Sequence, residues 1–354
     1  MNNQDLAQIK SPHYMNGFTD SQAGGSVGRA MRTGGLLWLF LAMAAAGGCG
    51  PEQVSGGPVA DEPVPSAGAA APAAGSDGWQ AAADRQRLER DFTAMIRLAP
   101  RPAGSERLEA CRRLIAEELS GAGLGVRRET FRAATPRGAI EMANVIGEKA
   151  GDPRRIIIVA SHIDTKALPG VHFIGANDSG SSTAAVLEIA RVLAARADAR
   201  ATYRFLFFDG EESVGESITE TDGLYGSRHH AGNLRRSGEA QSVRAMILLD
   251  MIGDRDLALT RDRYSSPELW SLLTACCRRL GWPEIAAGES NAIIDDHIPF
   301  RELGVPAIDL IDFEYGPWNS YWHTPRDIPD NVSVANIFRV TRVTLCMLES
   351  LDHE

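Results

Sequence analysis

Four short, almost wholly apolar runs constrain the fold more than any other feature of the chain: Ile156–Ala160, Tyr203–Phe208, Ala245–Leu249 and Ala307–Ile311. Runs of this length suit strands that are covered on both faces, as in the centre of a parallel sheet. Between the first two lies Ser179–Ala195, whose apolar spacing is helical. Helical periods also mark Ala81–Leu98, Ser105–Gly121 (closed by its glycine), Ser266–Leu280 and Val334–Leu351. Strands alternating with helices imply an α/β fold: one domain with a central mixed, mostly parallel sheet flanked by helices. The sequence carries no internal repeat.

The first 78 residues read differently. Leu36–Ala46 is apolar, follows Arg29 and Arg32, and is too short to cross ~30 Å of hydrocarbon as a helix. It fits the apolar region of a signal peptide. Ala46-Gly47-Gly48-Cys49 follows and resembles a bacterial lipobox, which would leave Cys49 lipidated. Counted from Met31 the leader has an ordinary length, so Met31 or Met15 is the expected start. Residues 50–78, rich in Pro, Ala, Gly and Ser, bury too little apolar surface to order themselves and read as a tether. The expected organisation is a leader over 1–49, a linker over 50–78 and a catalytic domain over 79–354. The expected location is the bacterial cell envelope, lipid-anchored or periplasmic or secreted, with membrane contact only through the lipid. A GxSxG match around Ser26 lies in the leader, without the strand and helix that a nucleophile elbow needs, and is discarded.

Composition excludes some functions. With 36 Lys+Arg against 46 Asp+Glu the net charge is −10, which argues against nucleic acid as a partner. None of the five cysteines forms a CxxC pair, which argues against a thiolate zinc cluster or a thioredoxin-like site. Cys276 and Cys277 are adjacent, and disulfide geometry rarely allows neighbours to bridge. Both are expected to pack in the core.

The informative polar residues fall at the ends of the apolar runs, where open α/β sheets bind ligands. The first run ends in Ser161-His162-Ile163-Asp164, the second in Asp209-Gly210-Glu211-Glu212 and the third in Asp250. Asn177-Asp178-Ser179-Gly180 opens the helix after the first run, and Trp322-His323-Thr324 follows the last. Each residue has an ordinary reading alone: Asp178 as a helix cap, the glutamates as solvated loop charges, Asp250 as an ion-pair partner. Together they gather these carboxylates and two imidazoles at strand ends. Burying that much negative charge without a cation is costly. A mixed His/carboxylate set without thiolate suits a catalytic zinc, which commonly has three protein ligands and one open position. Adjacent glutamates also permit a division of labour, one on the metal and the other a base.

SHIDTK (161–166), GANDSG (175–180), FFDGEE (207–212), LYGSRH (224–229), LLDMIG (248–253), DDHIPF (295–300) and WHT (322–324) occur in that order. This series resembles the animal-type glutaminyl-peptide cyclotransferases, within the superfamily of zinc aminopeptidases with a phosphorylase/hydrolase-like fold, over about residues 90–345. The resemblance implies that Asp178, Glu212 and His323 bind one zinc. It implies that Glu211 is the general acid/base, that Asp250 and Asp295 complete its acidic network, and that Trp322 lines the substrate pocket. The implied reaction converts the N-terminal Gln of peptides or proteins to pyroglutamate with release of ammonia. The alternative is a zinc aminopeptidase with a second metal on His162 and Asp250, Asp178 bridging. A non-catalytic peptide-binding lipoprotein is a third reading, against which the complete ligand set argues. Two departures bear on substrate identity. Ser213–Asp222 lacks the tryptophan that animal cyclases carry after the glutamate pair, and Asp309 stands where the family tends to have His. Arg228 is expected either to balance the acidic site or to form a structural salt bridge.

Overall fold

The computed structural model describes residues 78–354. The leader, the tether, Cys49 and Ser26 lie outside the described residues. The helices are α1 (Arg85–Leu98), α2 (Glu106–Gly121), α3 (Ser182–Ala194), α4 (Tyr225–Ser237), α5 (Pro267–Arg279), α6 (Ile298–Glu302) and α7 (Val334–His353). The strands are β1 (Gly125–Thr135), β2 (Gly138–Lys149), β3 (Asp152–His162), β4 (Ala201–Phe208), β5 (Val243–Asp250), β6 (Arg261–Asp262), β7 (Ser290–Asn291) and β8 (Ala307–Ile311).

Six strands form one sheet in the order β1-β2-β4-β3-β5-β8, and β6 and β7 pair separately. The four strands read from the apolar runs, β4, β3, β5 and β8, are mutually parallel. The β1–β2 hairpin joins β4 antiparallel and makes the sheet mixed. Side chains alternate between two cores. Ile157, Val159, Ile247 and Ile308 face α1, α2, α3, α5 and α7, whereas Ile158, Ala160, Met246 and Ala307 pack with Leu234 of α4 and Phe300 of α6. Burial on both faces is why the central strands carry no polar alternation.

Local chemistry sets the helix starts. Asp84 accepts from the N–H groups of Gln86 and Arg87 at the head of α1, and Ser105 accepts from Leu108 at the head of α2. The helix expected from Ala81 begins later, at Arg85, after a separate 3-10 turn over Trp79–Ala82. The helix expected from Ser179 begins at Ser182, because Ala176–Ser181 forms a wider π-type turn that includes Asp178. Asp178 is therefore not the cap of α3.

Both adjacent cysteines pack in the core as expected and do not bridge each other, but one has a distant partner that the sequence did not show. Cys276 of α5 is disulfide-bonded to Cys346 of α7, 70 residues away. Consecutive helical residues point about 100° apart, so Cys276 faces α7 while Cys277 stays a buried free thiol. Arg228 meets neither expectation. Its guanidinium donates to the backbone carbonyls of Thr219 and Glu220 (both 2.6 Å), pinning the excursion before α4.

Candidate metal centre and active site

Parallel strands end on the same side of the sheet, so the residues after β3, β4 and β5 converge there. His162 is the last residue of β3 and Asp250 the last of β5, while Glu211 and Glu212 follow β4. Asp178 enters from the turn before α3. Gly175 makes that turn possible: its φ is +60°, and a Cβ there would lie 2.1 Å from the Asp178 carbonyl oxygen. His323 arrives from the loop after β8 with φ +52°, a left-handed conformation that histidine adopts more readily than most residues.

Two sets of side chains meet on Asp178. Asp178, Glu212 and His323 place one potential ligand atom each within 4.8 Å of one another, and so do His162, Asp178 and Asp250. His323 Nε2 lies 3.1 Å from Glu212 Oε1 and 3.3 Å from Asp178 Oδ2. His162 Nε2 lies 3.2 Å from both Asp178 Oδ1 and Asp250 Oδ1. The backbone holds these groups in place. Asp164 accepts from the N–H groups of Glu211 (3.1 Å) and Glu212 (3.2 Å). Asp327 accepts from the N–H groups of Asn177 (2.7 Å) and Asp178 (3.2 Å) and from the Tyr315 hydroxyl (3.1 Å). Arg101, fully buried, donates to the carbonyls of Ile163 and Met95 and to Ser179 Oγ.

The electrostatics call for a cation. Burial works against a charged imidazole, yet the Glu212 and Asp178 carboxylates outweigh it and hold His323 up at about 10. His162 is likewise raised by Asp250, Asp164 and Asp178 against the burial penalty. The protons on these imidazoles stand in for positive charge that a divalent metal would supply, and both nitrogens would ligate once deprotonated. The donor set of two imidazoles and several carboxylates, with no thiolate, fits zinc. Glu211 sits apart from both sets. Burial, and then the charges of Asp295, Glu212 and Asp296, push its carboxyl well above the ordinary range, partly offset by His162. Asp250 is pushed up to about 7, by burial first and then by Asp295 and Asp178 against the pull of His162.

Aromatic rings line the approach. Trp322 stacks on the His323 ring with centroids 4.1 Å apart, and Phe173 meets His323 edge-on at 5.9 Å. The aromatic-free excursion Ser213–Asp222 is ordered by polar contacts instead. Lys166 donates to the Ser213 carbonyl (2.9 Å), and Asp222 accepts from Val214 N–H (2.8 Å), Gly215 N–H (2.7 Å) and the Tyr225 hydroxyl (2.8 Å).

All the residues expected at the site, His162, Asp178, Glu211, Glu212, Asp250, Asp295, Trp322 and His323, lie in this strand-end region. Asp209 does not act there. Its buried carboxylate pairs with Arg112 of α2 and accepts from Ala143 N–H. Sequence reasoning missed the clamping roles of Asp164 and Asp327. Asp164 carried a signal, as an acidic residue two places after a strand-end histidine. It also missed Phe173 and the pair formed by His297 Nε2 and Asp262 Oδ2 at 3.0 Å.

Residues 144–348, more than half of the chain, match the model of peptidase family M28. The chain is 30% identical over 263 residues to a glutaminyl-peptide cyclotransferase of Drosophila melanogaster, covering 67% of this chain and 72% of that protein. The crystal structure of an Acidobacteriales bacterium glutaminyl cyclase superposes with a TM-score of 0.72 at 32% identity, covering 80% of this chain and 99% of the other. A Zn-dependent exopeptidase from Parabacteroides distasonis shares the fold alone, with a TM-score of 0.68 at 22% identity, over 75% of this chain and 97% of the other. The chain belongs to peptidase family M28 and is a homologue of the glutaminyl-peptide cyclotransferases, with a candidate His/Asp/Glu metal site where its parallel strands end.

Proposed function

We propose that the protein is a zinc-dependent glutaminyl-peptide cyclotransferase acting on N-terminal Gln of peptides or proteins. The observation that carries this reading is the pairing of a metal-competent triad, Asp178, Glu212 and His323, with Glu211, a buried carboxyl that is not part of it. Those three residues would hold one zinc, which when bound supplies Lewis-acid polarisation of the Gln side-chain carbonyl. The rest is the work of the chain. The substrate's own α-amine attacks its side-chain carbonyl carbon, so no protein nucleophile is needed and the reaction gains the proximity of an intramolecular step. Glu211 accepts a proton from the amine as the new C–N bond forms. It returns that proton to the side-chain nitrogen as the old C–N bond breaks and ammonia leaves. A base that must also act as an acid works best with its pKa raised toward the working pH, which burial and the Asp295 charge favour. Trp322 and Phe173 form the apolar wall that keeps water from competing with the amine.

A second reading has its own support. His162, Asp178 and Asp250 form another triad that shares Asp178, as a two-metal aminopeptidase would require. One experiment separates the two: zinc content of the purified protein beside mass spectrometry on Gln-Xaa and Leu-Xaa peptides. One zinc with loss of ammonia from Gln-peptides supports the cyclase. Two zincs with release of the first residue supports the peptidase. The Cys276–Cys346 disulfide favours a compartment outside the reducing cytosol, in keeping with an exported, Cys49-anchored protein of the cell envelope.

A further inference from the structure

Asp309 is a buried carboxyl for which the surrounding groups offer no close donor. It lies in the middle of β8, opposite Leu248 of β5, and is wholly buried. Neither of its oxygens has a hydrogen-bond partner. Ile308 and Leu310 on either side of it face the core beneath α5 and α7, so Asp309 shares the opposite face with Ala307. The segment leading into α6, Asp295-Asp296-His297, stands on that face. His297 lies between two carboxylates: its Nε2 is 3.0 Å from Asp262 Oδ2, and its Nδ1 is 3.9 Å from Asp309 Oδ2, too far for a direct hydrogen bond. Asp262 is held in turn by the Ser265 hydroxyl (2.9 Å) and Ile293 N–H (3.0 Å). Asp295 is the close neighbour of Asp309, with Asp250 and Asp262 adding negative charge from β5 and β6. One oxygen of Asp295 is engaged by Asp296 N–H at 2.5 Å. Asp295 also acts on Glu211.

On this face one imidazole, His297, stands among three carboxylates, Asp262, Asp295 and Asp309, while Asp250 pairs with His162. Two ionised carboxylates side by side repel and have no donor between them, and burying both is costly. A proton on one of them removes a charge and creates an O–H donor in the same stroke. Asp309 is the natural holder, being the member with no donor of its own, whereas Asp262 has two, from Ser265 and Ile293, and Asp295 one. We propose that Asp309 is a positioning residue, a neutral carboxylic acid at neutral pH whose O–H donates to Asp295 and fixes that carboxylate behind Glu211. Burial first, and then the Asp295, Asp250 and Asp262 charges, push the Asp309 carboxyl well above the usual range, in the same direction. The role in turnover rests on Glu211 being the acid/base; the protonation itself does not.

The test compares the zinc-loaded full-length protein with Asp309→Asn and Asp309→Leu. Infrared difference spectra of wild type against Asp309→Asn at pH 8 should show the C=O stretch of a protonated carboxyl in the wild type, absent from the variant. A wild type without that band overturns the proposal. In turnover, Asn keeps an N–H donor toward Asp295 and should hold kcat within about 3-fold, while Leu, of similar size but without a donor, should lower kcat ~10–100-fold at unchanged KM and zinc content, the scale of a misplaced reacting group. Equal kcat for the two variants overturns the positioning role. Should the Leu variant not fold, the infrared comparison still decides. Should the wild type show the band yet cyclise no Gln-peptide, the cyclase reading falls and the protonation of Asp309 stands.

Discussion

Removing the carboxylate of Asp164 should loosen both strand-end glutamates at once. Asp164 is fully buried, and its two oxygens accept the N–H groups of Glu211 and Glu212 at 3.1 and 3.2 Å. Asp164→Ala leaves two donors buried without partners. Each such orphan costs ~1–3 kcal/mol, so the pair costs about 4 kcal/mol. For a domain of this size 1 kcal/mol corresponds to ~2–4 °C, giving a fall in Tm of roughly 8–16 °C. Asp164→Asn retains one acceptor oxygen and should lose about half as much. Because the 211–212 backbone carries the proposed base and a proposed ligand, freeing it should also displace both by a fraction of an ångström or more, and kcat should fall ~10²-fold. Thermal melting followed by circular dichroism, with turnover on the same samples, measures both. An Ala variant that melts with the wild type and keeps its kcat would refute the reasoning, since it would mean that water or some other group serves those N–H donors equally well.

The disulfide closes a loop of 70 residues, which in the chain-entropy description stabilises the fold by about 4 kcal/mol. Cys276→Ser and reduced wild type should therefore unfold at similarly lower denaturant concentrations, and unchanged midpoints would count against the bridge. Cys111 and Cys277, whose thiols burial pushes up to about 11, should react with thiol reagents only after unfolding. Asp312 is buried, and burial pushes its carboxyl up to about 7 from the ordinary 3.8. The folded chain then keeps a proton that the unfolded chain releases, so Asp312 costs increasing stability as pH rises from 3.8 toward 7 and its full cost above it. Asp312→Asn should gain on the wild type between pH 5 and pH 8 in denaturant titrations; a difference independent of pH contradicts this.

The central strands were legible because both their faces are buried, which leaves an apolar run no polar alternation could mimic. Ala307–Ile311 is recovered residue for residue. The β1–β2 hairpin was not legible. β1 carries Arg127, Arg128, Glu129 and Arg132 along a largely exposed edge, and its pairing with Gly138–Lys149 depends on register rather than on hydrophobicity. The carboxylates and imidazoles of the candidate site could be found because parallel strands put their C-terminal ends together, so residues far apart in sequence share one place by topology alone. Their supports were harder to see. Asp327 serves backbone N–H groups 149 and 150 residues away, and Cys276 meets Cys346 only because α5 packs on α7. Such partners are fixed by tertiary packing, and no local pattern in the sequence encodes them.

The proposed chemistry turns on the division of labour between two adjacent glutamates. Their side chains diverge: Glu212 reaches His323 at 3.1 Å, whereas Glu211 lies 3.8 Å from His162 Nδ1 and outside both metal-competent sets. The decisive measurement is zinc content after dialysis, taken beside turnover of a Gln-peptide, for Glu211→Gln and Glu212→Gln. Glu211→Gln should keep its zinc and lose ~10²–10⁴-fold in kcat, the usual worth of a general acid/base. Glu212→Gln should lose much of its zinc, with turnover falling in step with occupancy. A metal-free Glu211→Gln beside a fully loaded Glu212→Gln would reverse the two roles, and two variants that both keep zinc and activity would remove this constellation from the chemistry altogether.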